Sequence, residues 1–294
     1  MIGYLLAIGA AAIWSAVALS ATRIVRYFGS YNYNLLRLLG IIVFFFPYIY
    51  INWQSIYFDQ SIFTAIVLSS IIGIIIGDTF LFICLKRLGP RRQALLFSMQ
   101  IPFTIILAEV FLQTLPSLIE LIGCSLIFLG IIIAIQFNRT IPDDDLENIQ
   151  GNKYTGLFAG IGLALCQSIG IILMKPALVS TDPIVVSYLR VIVAAIIMFG
   201  SLFFIKSNQL WEKMKDIKKT VFSIFLGFMG MGVGMTMLII ALKNGDPGVI
   251  STLSSTMPIM IIPILWIVTK NYAGHLAVVG ASLTCLGAGI IFLS

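Results

Sequence analysis

The 294-residue sequence is short of charge, with 10% Asp, Glu, Lys and Arg where ordinary soluble domains carry about 25%. A chain this poor in charge and 60% apolar cannot clothe a soluble surface, so it belongs in a bilayer. Its one histidine, His275, stands at the end of an apolar run and reads as solvated. That scarcity argues against a buried zinc site or a serine–histidine hydrolase. The four cysteines, Cys84, Cys124, Cys166 and Cys285, sit inside apolar runs and read as small packing residues instead of a disulfide framework. No GxxxxGK[ST] stretch occurs, which argues against ATP drive within the chain. Asp59, Asp143, Asp144, Asp145, Asp182, Asp216 and Asp246 all lie at loops or span ends. An intramembrane aspartyl protease needs two buried aspartates, and only Asp78 qualifies. The expectation is therefore a non-enzyme without cofactor or metal. The net charge of +6 does not point to nucleic acid, because most of the basic residues lie at span ends, where they snorkel or mark one membrane face.

What the chain has instead is ten apolar runs of the length that crosses a roughly 30 Å hydrocarbon core, at 2–22, 33–52, 62–85, 93–113, 115–136, 154–174, 184–205, 220–242, 248–268 and 273–293. The first is too long for a secretory h-region and lacks a basic leader, so it counts as a span. The connections are short except for 138–153, a polar, turn-rich linker, and Lys206 to Lys219. In the latter, Leu210, Trp211, Met214 and Ile217 recur at helical spacing, as in a helix lying on the membrane surface.

The stretch from Gly73 to Ile135 recurs from Gly230 onward. Cys84 to Pro90 (CLKRLGP) is answered by Ala241 to Pro247 (ALKNGDP), Pro102 by Pro258, and Leu121 to Gly130 (LIGCSLIFLG) by Val278 to Gly287 (VVGASLTCLG). Further back, Asn34 to Gly40 (NLLRLLG) matches Ser187 to Val193 (SYLRVIV), which places Arg37 on Arg190 and Trp14 on Gln167. The fold expected is an all-α polytopic membrane protein of ten transmembrane helices. It divides into a first repeat at 1–137, a linker at 138–153 and a second repeat at 154–294. Five spans per repeat is an odd number, so the repeats are inverted.

Lys and Arg crowd the odd-numbered connections, from Arg23 and Arg26 through Lys86, Arg87, Arg91, Arg92, Arg139 and Lys153 to the five lysines of Lys206–Lys219 and Lys270, whereas the even ones hold only Lys175 and Lys243. By the positive-inside rule the odd connections are cytoplasmic and both termini external.

Ionisable side chains inside a membrane are costly and mark function by default. Asp78 lies eight residues before Lys86, about 12 Å along a helix, hence deep in span three. Gln100 returns to nearly that depth after the LGP turn. The alternative for Asp78 is a protonated acid joining two helices. Arg37 and Arg190 read first as structural braces and second as an anion clamp. Trp14, Ser15, Gln167 and Ser168 in spans one and six, and Thr236, Ser254, Ser255 and Thr256 in spans eight and nine, are candidate substrate contacts, each weak alone because Ser and Thr also bond their own helix. Glu109 has no matching acid in the second copy and reads as structural. Lys175 reads as a snorkelling end residue. Gly227, Gly230, Gly232 and Gly234 serve close helix packing, or loosen span eight so that it bends.

These residues make the chain resemble the drug/metabolite transporter superfamily, specifically the EamA type with ten helices in two five-helix repeats. The marks are Trp14 late in span one, Lys175 eight positions after Gln167, Arg37 and Arg190, and the order of small-residue turn, proline-bearing helix and LIGCSLIFLG or VVGASLTCLG. The resemblance implies a cavity lined by helices one, three, four, six, eight and nine. Three features depart from it: Gln113-Thr114 and Thr269-Lys270 replace the Gly-Glu pair that often closes such a fourth helix, Gln167 replaces a frequent tryptophan, and the basic connections oppose the cytoplasmic termini common in the family. The expected function is a secondary carrier in a bacterial-type inner membrane, moving a small metabolite, amino acid or amphipathic drug by alternating access, with proton coupling as a candidate drive. Its expected partners are the substrate and the lipid bilayer, as monomer or homodimer. An intramembrane enzyme or a channel-like accessory subunit is the alternative.

Overall fold

A computed structural model describes residues 2–52, 59–112, 117–136, 146–180, 182–202, 208–244, 247–270 and 274–293, and every regular element among them is helical. Eight of the ten expected spans are helices long and apolar enough to cross a membrane. They are Ile2–Phe28 (span one), Ser30–Asn52 (two), Gln60–Leu88 (three), Leu118–Gln136 (five), Lys153–Ser180 (six), Pro183–Ser201 (seven), Ile217–Gly227 continuing through Phe228–Gly234 into Met235–Lys243 (eight), and His275–Leu293 (ten). Their outward faces are apolar: Val43, Tyr50, Phe158, Ile196 and Leu293 are each more than 60% exposed, tolerable against lipid but not in water.

Spans four and nine depart from the expectation of ten unbroken helices. Span four is Pro90–Phe97 followed by Gln100–Leu112, and span nine is Pro247–Ser254 followed by Met257–Thr269. The breaks have a common cause. Pro102 and Pro258 lack an N–H, and their rings crowd the carbonyl four residues earlier, at Ser98 and Ser254. The chain tightens there into three-residue bonds, Met99 N–H to Leu96 O at 3.1 Å and Thr256 N–H to Leu253 O at 3.3 Å. Pro47 and Pro263 sit inside continuous helices, so proline alone is not sufficient.

Spans three and eight each carry a π-helical segment, Ser70–Gly77 and Phe228–Gly234. The two occupy equivalent places in the repeats. Both are rich in glycine, which concedes helical order cheaply, and such widenings concentrate at functional sites.

Contacts between the halves follow the duplication. Span one packs on eight and nine as span six packs on three and four, and span two meets eight as seven meets three. Spans five and ten pair with each other through glycines: a Cβ on Gly123 would lie 2.7 Å from Gly287 O, and Gly130 and Gly280 each abut the other's carbonyl. Gly123 matches Gly280 and Gly130 matches Gly287 in the repeat, so equivalent helices run antiparallel, as inverted repeats require.

The odd connections meet on one face. Arg26 donates to Lys86 O at 3.4 Å and to Leu146 O and Asn148 O at 3.2 Å, and Lys213 donates to Tyr27 O at 2.7 Å. Two of the basic residues counted in the odd connections are buried. Arg91 and Arg92 are 3% and 2% exposed and face Glu147, itself 5% exposed, at 3.4 and 3.5 Å. The end of the polar, turn-rich linker is thus packed: Leu146 enters the core beside Gly89, and Arg87 holds Gln150 O at 2.9 Å. The surface helix is Asn208–Met214, with Leu210 buried and Trp211 exposed, whereas Ile217 opens span eight. Asp216 caps that span, and hydrogen bonds from Lys219 hold its carboxyl below the usual carboxylate range. Arg139, Asp143 to Asp145, Gln113-Thr114, Lys206, Asp246, and the side chains of Glu109, Lys175 and Lys243 lie outside the described residues.

Candidate functional site

The π segment of span three sets the site. Its widened turn carries the Asp78 N–H to Gly73 O. The Asp78 side chain then emerges, 8% exposed, towards spans two and six. Arg37 of span two forms an ion pair with Asp78 Oδ2, donates to Asn34 Oδ1 at 3.0 Å, and lies over the Phe82 ring at 4.9 Å. Asn34 is buried and donates to Ile74 O at 2.9 Å and Thr79 Oγ1 at 3.3 Å, so it positions Arg37 from one helical turn away. From the other half, Gln167 donates to Asp78 Oδ1 at 2.8 Å and to Gly73 O at 3.3 Å. A carboxylate is therefore held between the two repeats by side chains from both.

Trp14 and Gln167 occupy equivalent positions and make equivalent bonds. Trp14 Nε1 donates to Gly230 O in the π segment of span eight at 2.7 Å, as Gln167 does to Gly73 O in span three. The next residues repeat the pattern at the broken helices. Ser15 Oγ donates to Met257 O at 3.4 Å and Ser168 Oγ to Gln100 O at 2.9 Å, each at the start of the second segment of spans nine and four. Spans one and six thus donate to backbone carbonyls at the π turns and at the second segments of the broken helices, each tying its own repeat to the irregular segments of the other.

Other predicted contacts turn inward. Gln100 contributes its backbone carbonyl, shared by Ser168 and by Thr104 at 2.7 Å, and among the described bonds its side chain is not joined to Asp78. Thr236 donates to Gly232 O at 2.6 Å, Ser254 and Ser255 to Ser251 O at 2.9 and 2.7 Å, and Thr256 to Leu253 O at 2.6 Å, all within their own helices.

Arg190 differs from its counterpart. It donates to Ser69 O and approaches Met174 Sδ, both at 3.0 Å. No acid stands where symmetry would put one, because Met235 occupies the place equivalent to Asp78.

Two clefts flank this centre at equivalent places. One of about 440 Å³ lies between spans three and six, lined by Gln60, Ser61, Thr64, Ala65, Leu68, Ile172 and Leu173. The other, of about 170 Å³, lies between spans one and eight and includes Val17, Ser20, Phe222 and Phe225. None of the predicted contact residues lines either. Sequence reasoning missed Asn34, whose signal was its three-residue spacing from Arg37, and Glu147, whose role depends on a fold-back that no local pattern announces.

The EamA-like transporter family matches the chain twice, over residues 1–136 and 154–293. A solved structure described only as "Crystal structure of protein" superposes with a TM-score of 0.62, covering 99% of this chain and 96% of its own at 16% identity, a likeness of fold. No curated protein matches the sequence.

Proposed function

The chain belongs to the EamA-like transporter family, within the drug/metabolite transporter superfamily, and is a multi-pass membrane transporter; from that premise we propose a secondary carrier working by alternating access, with Asp78 as its coupling or recognition acid. The observation that carries this reading is the bonding of Asp78 to Arg37 in its own repeat and to Gln167 in the other. Any rocking of one repeat against the other strains the Gln167 bond. Any protonation of Asp78 removes the charge that holds Arg37, so the proton and the repeat movement act on the same bonds. The unequal clefts at equivalent positions support it further, since inverted repeats that alternate expose one crevice while narrowing its mate.

The substrate is a small metabolite, amino acid or amphipathic drug. The carrier sits in a bacterial-type inner membrane with its termini external and the face of Arg26, Lys86 and Lys213 cytoplasmic. In proteoliposomes, wild-type transport responds to a pH gradient. Asp78→Asn, which keeps the shape and cannot ionise, folds, loses that response and retains exchange. An unchanged pH response in Asp78→Asn overturns the assignment and leaves the acid a structural tie.

A further inference from the structure

Spans one and eight meet with unlike faces. Span one presents Ala16 and Ser20, both exposed, where span eight presents Phe222 and Phe225, 39% and 47% exposed with their ring centroids 6.4 Å apart. Small side chains opposite large ones leave a groove of about 170 Å³ between the helices, completed by Ile13, Val17, Leu226 and Met229. Ser20 alone among these lining residues is polar. From Ile13 to Ser20 and from Phe222 to Met229 the groove runs about 10 Å along each helix. Left empty, such an apolar slot forfeits dispersion contact, and in a bilayer the material at hand to fill it is a lipid chain.

One end of the groove is charged. Lys218 and Lys219 stand four and three residues before Phe222, and Arg23 and Tyr27 three and seven after Ser20, so helical spacing extends both walls into these residues. The Lys219 ammonium lies over the Tyr27 ring at 4.0 Å and Lys213 faces the same ring at 5.7 Å, which shows that the two walls still meet there. Asp216 balances Lys219 at 2.7 Å. That leaves Arg23, Arg26, Lys213, Lys215 and Lys218 against Glu212, with Arg23, Lys215 and Lys218 exposed. Beside them Trp211 is 54% exposed on the surface helix, the kind of ring that settles at headgroup depth.

We infer that the groove and its basic end form a binding site for one anionic phospholipid, with an acyl chain between Ala16, Ser20, Phe222 and Phe225 and the phosphate at Arg23 and Lys218. Apolar burial and attraction to anionic headgroups add at a membrane surface, and here one helix pair supplies both. A zwitterionic lipid fits the groove equally well but brings its own ammonium to the cations, so the charge selects the occupant. The inner end of the groove reaches Met229 in the π segment of span eight, and Val17 lies beside Gly230, the residue whose carbonyl Trp14 holds. The chain therefore ends against the irregular turn. The inference needs spans one and eight to lie in a bilayer and does not depend on the carrier reading.

The test uses the full-length protein in detergent, with native mass spectrometry counting retained lipids. Dioleoylphosphatidylglycerol is the anionic probe, dioleoylphosphatidylcholine its zwitterionic match, and glycerophosphoglycerol the headgroup without chains. One molecule of the anionic lipid is expected to bind about tenfold more tightly than the zwitterionic one, and the free headgroup not to compete. Arg23→Gln with Lys218→Gln weakens the anionic lipid by about tenfold. Ser20→Leu, which fills the groove and leaves every cation in place, weakens it too. Lys153→Gln with Lys270→Gln, exposed charges elsewhere, leaves it unchanged. Should Ser20→Leu not fold, Ala16→Leu carries the groove arm. Equal retention of the two lipids, competition by the free headgroup, or undiminished binding in the charge or the groove variant overturns the inference. The same holds if the control pair loses as much as the charge pair.

Discussion

Gln167 Nε2 lies 2.8 Å from Asp78 Oδ1, joining span six of the second repeat to span three of the first. The same amide reaches Gly73 O, so one side chain supports both the acid and the widened turn that presents it. Replacing it with leucine leaves Asp78 with fewer donors, at a cost of about 1–3 kcal/mol. Thermal unfolding of Gln167→Leu should show that loss in the wild-type background and a smaller one in Asp78→Asn, a coupling that a double-mutant cycle measures. Equal losses in both backgrounds would show that the carbonyl bond alone matters.

Arg37 and Asp78 test whether the pair is needed for the fold or for transport. Asp78→Leu strands a buried guanidinium and is expected to cost about 3–5 kcal/mol, whereas Asp78→Leu with Arg37→Met removes both charges and recovers most of it. The double variant should run as a monodisperse species in size-exclusion chromatography and fail in counterflow. Full transport by that variant would reduce the pair to a structural tie.

Glycine positions where spans cross offer a sharper contrast. A Cβ on Gly227 would overlap Arg37 O, and one on Gly40 would overlap Ile224 O, so spans two and eight meet backbone to backbone. Gly227→Ala should lower the melting temperature markedly. Gly200→Ala, in the helix of span seven with nothing within 4 Å of the added atom, should raise stability by up to about 1 kcal/mol through helix propensity. Comparable behaviour of the two would contradict the close crossing.

Glu147 anchors the far end of the linker between Arg91 and Arg92. It also accepts the Arg91 N–H at 3.0 Å, while its carbonyl accepts from Arg92 at 2.8 Å. Glu147→Ala leaves two buried cations facing an empty place, and a loss of about 3–5 kcal/mol is expected. Protease nicking near Leu146 should rise sharply in that variant, and an unchanged rate would mean that the segment is held by its apolar contact alone.

Orientation is decided by labelling. In a background without the four native cysteines, Asp59→Cys should react with an impermeant thiol reagent from outside intact cells and Ser207→Cys only after permeabilisation. The reverse pattern would place the basic face outside and overturn the charge-based assignment.

The sequence by itself determined the membrane class, the duplication and the inversion, because span length, the recurrence of Arg37 at Arg190 and an odd number of spans per repeat are properties of order along the chain. It also held the helix breaks in readable form, since Pro102 and Pro258 each fall four residues after the carbonyl they disturb. Pro47 shows why that signal is incomplete: it sits inside a continuous helix, so a proline read from the sequence does not by itself say that its helix breaks. Asp78 was legible because a charge among apolar residues is conspicuous in any listing of residue types. Its partner Gln167 and the burial of Arg91 and Arg92 against Glu147 were decided only in three dimensions. A side chain's neighbours depend on how helices far apart in the chain cross, and an amide or a glutamate carries no mark of the partner it will meet.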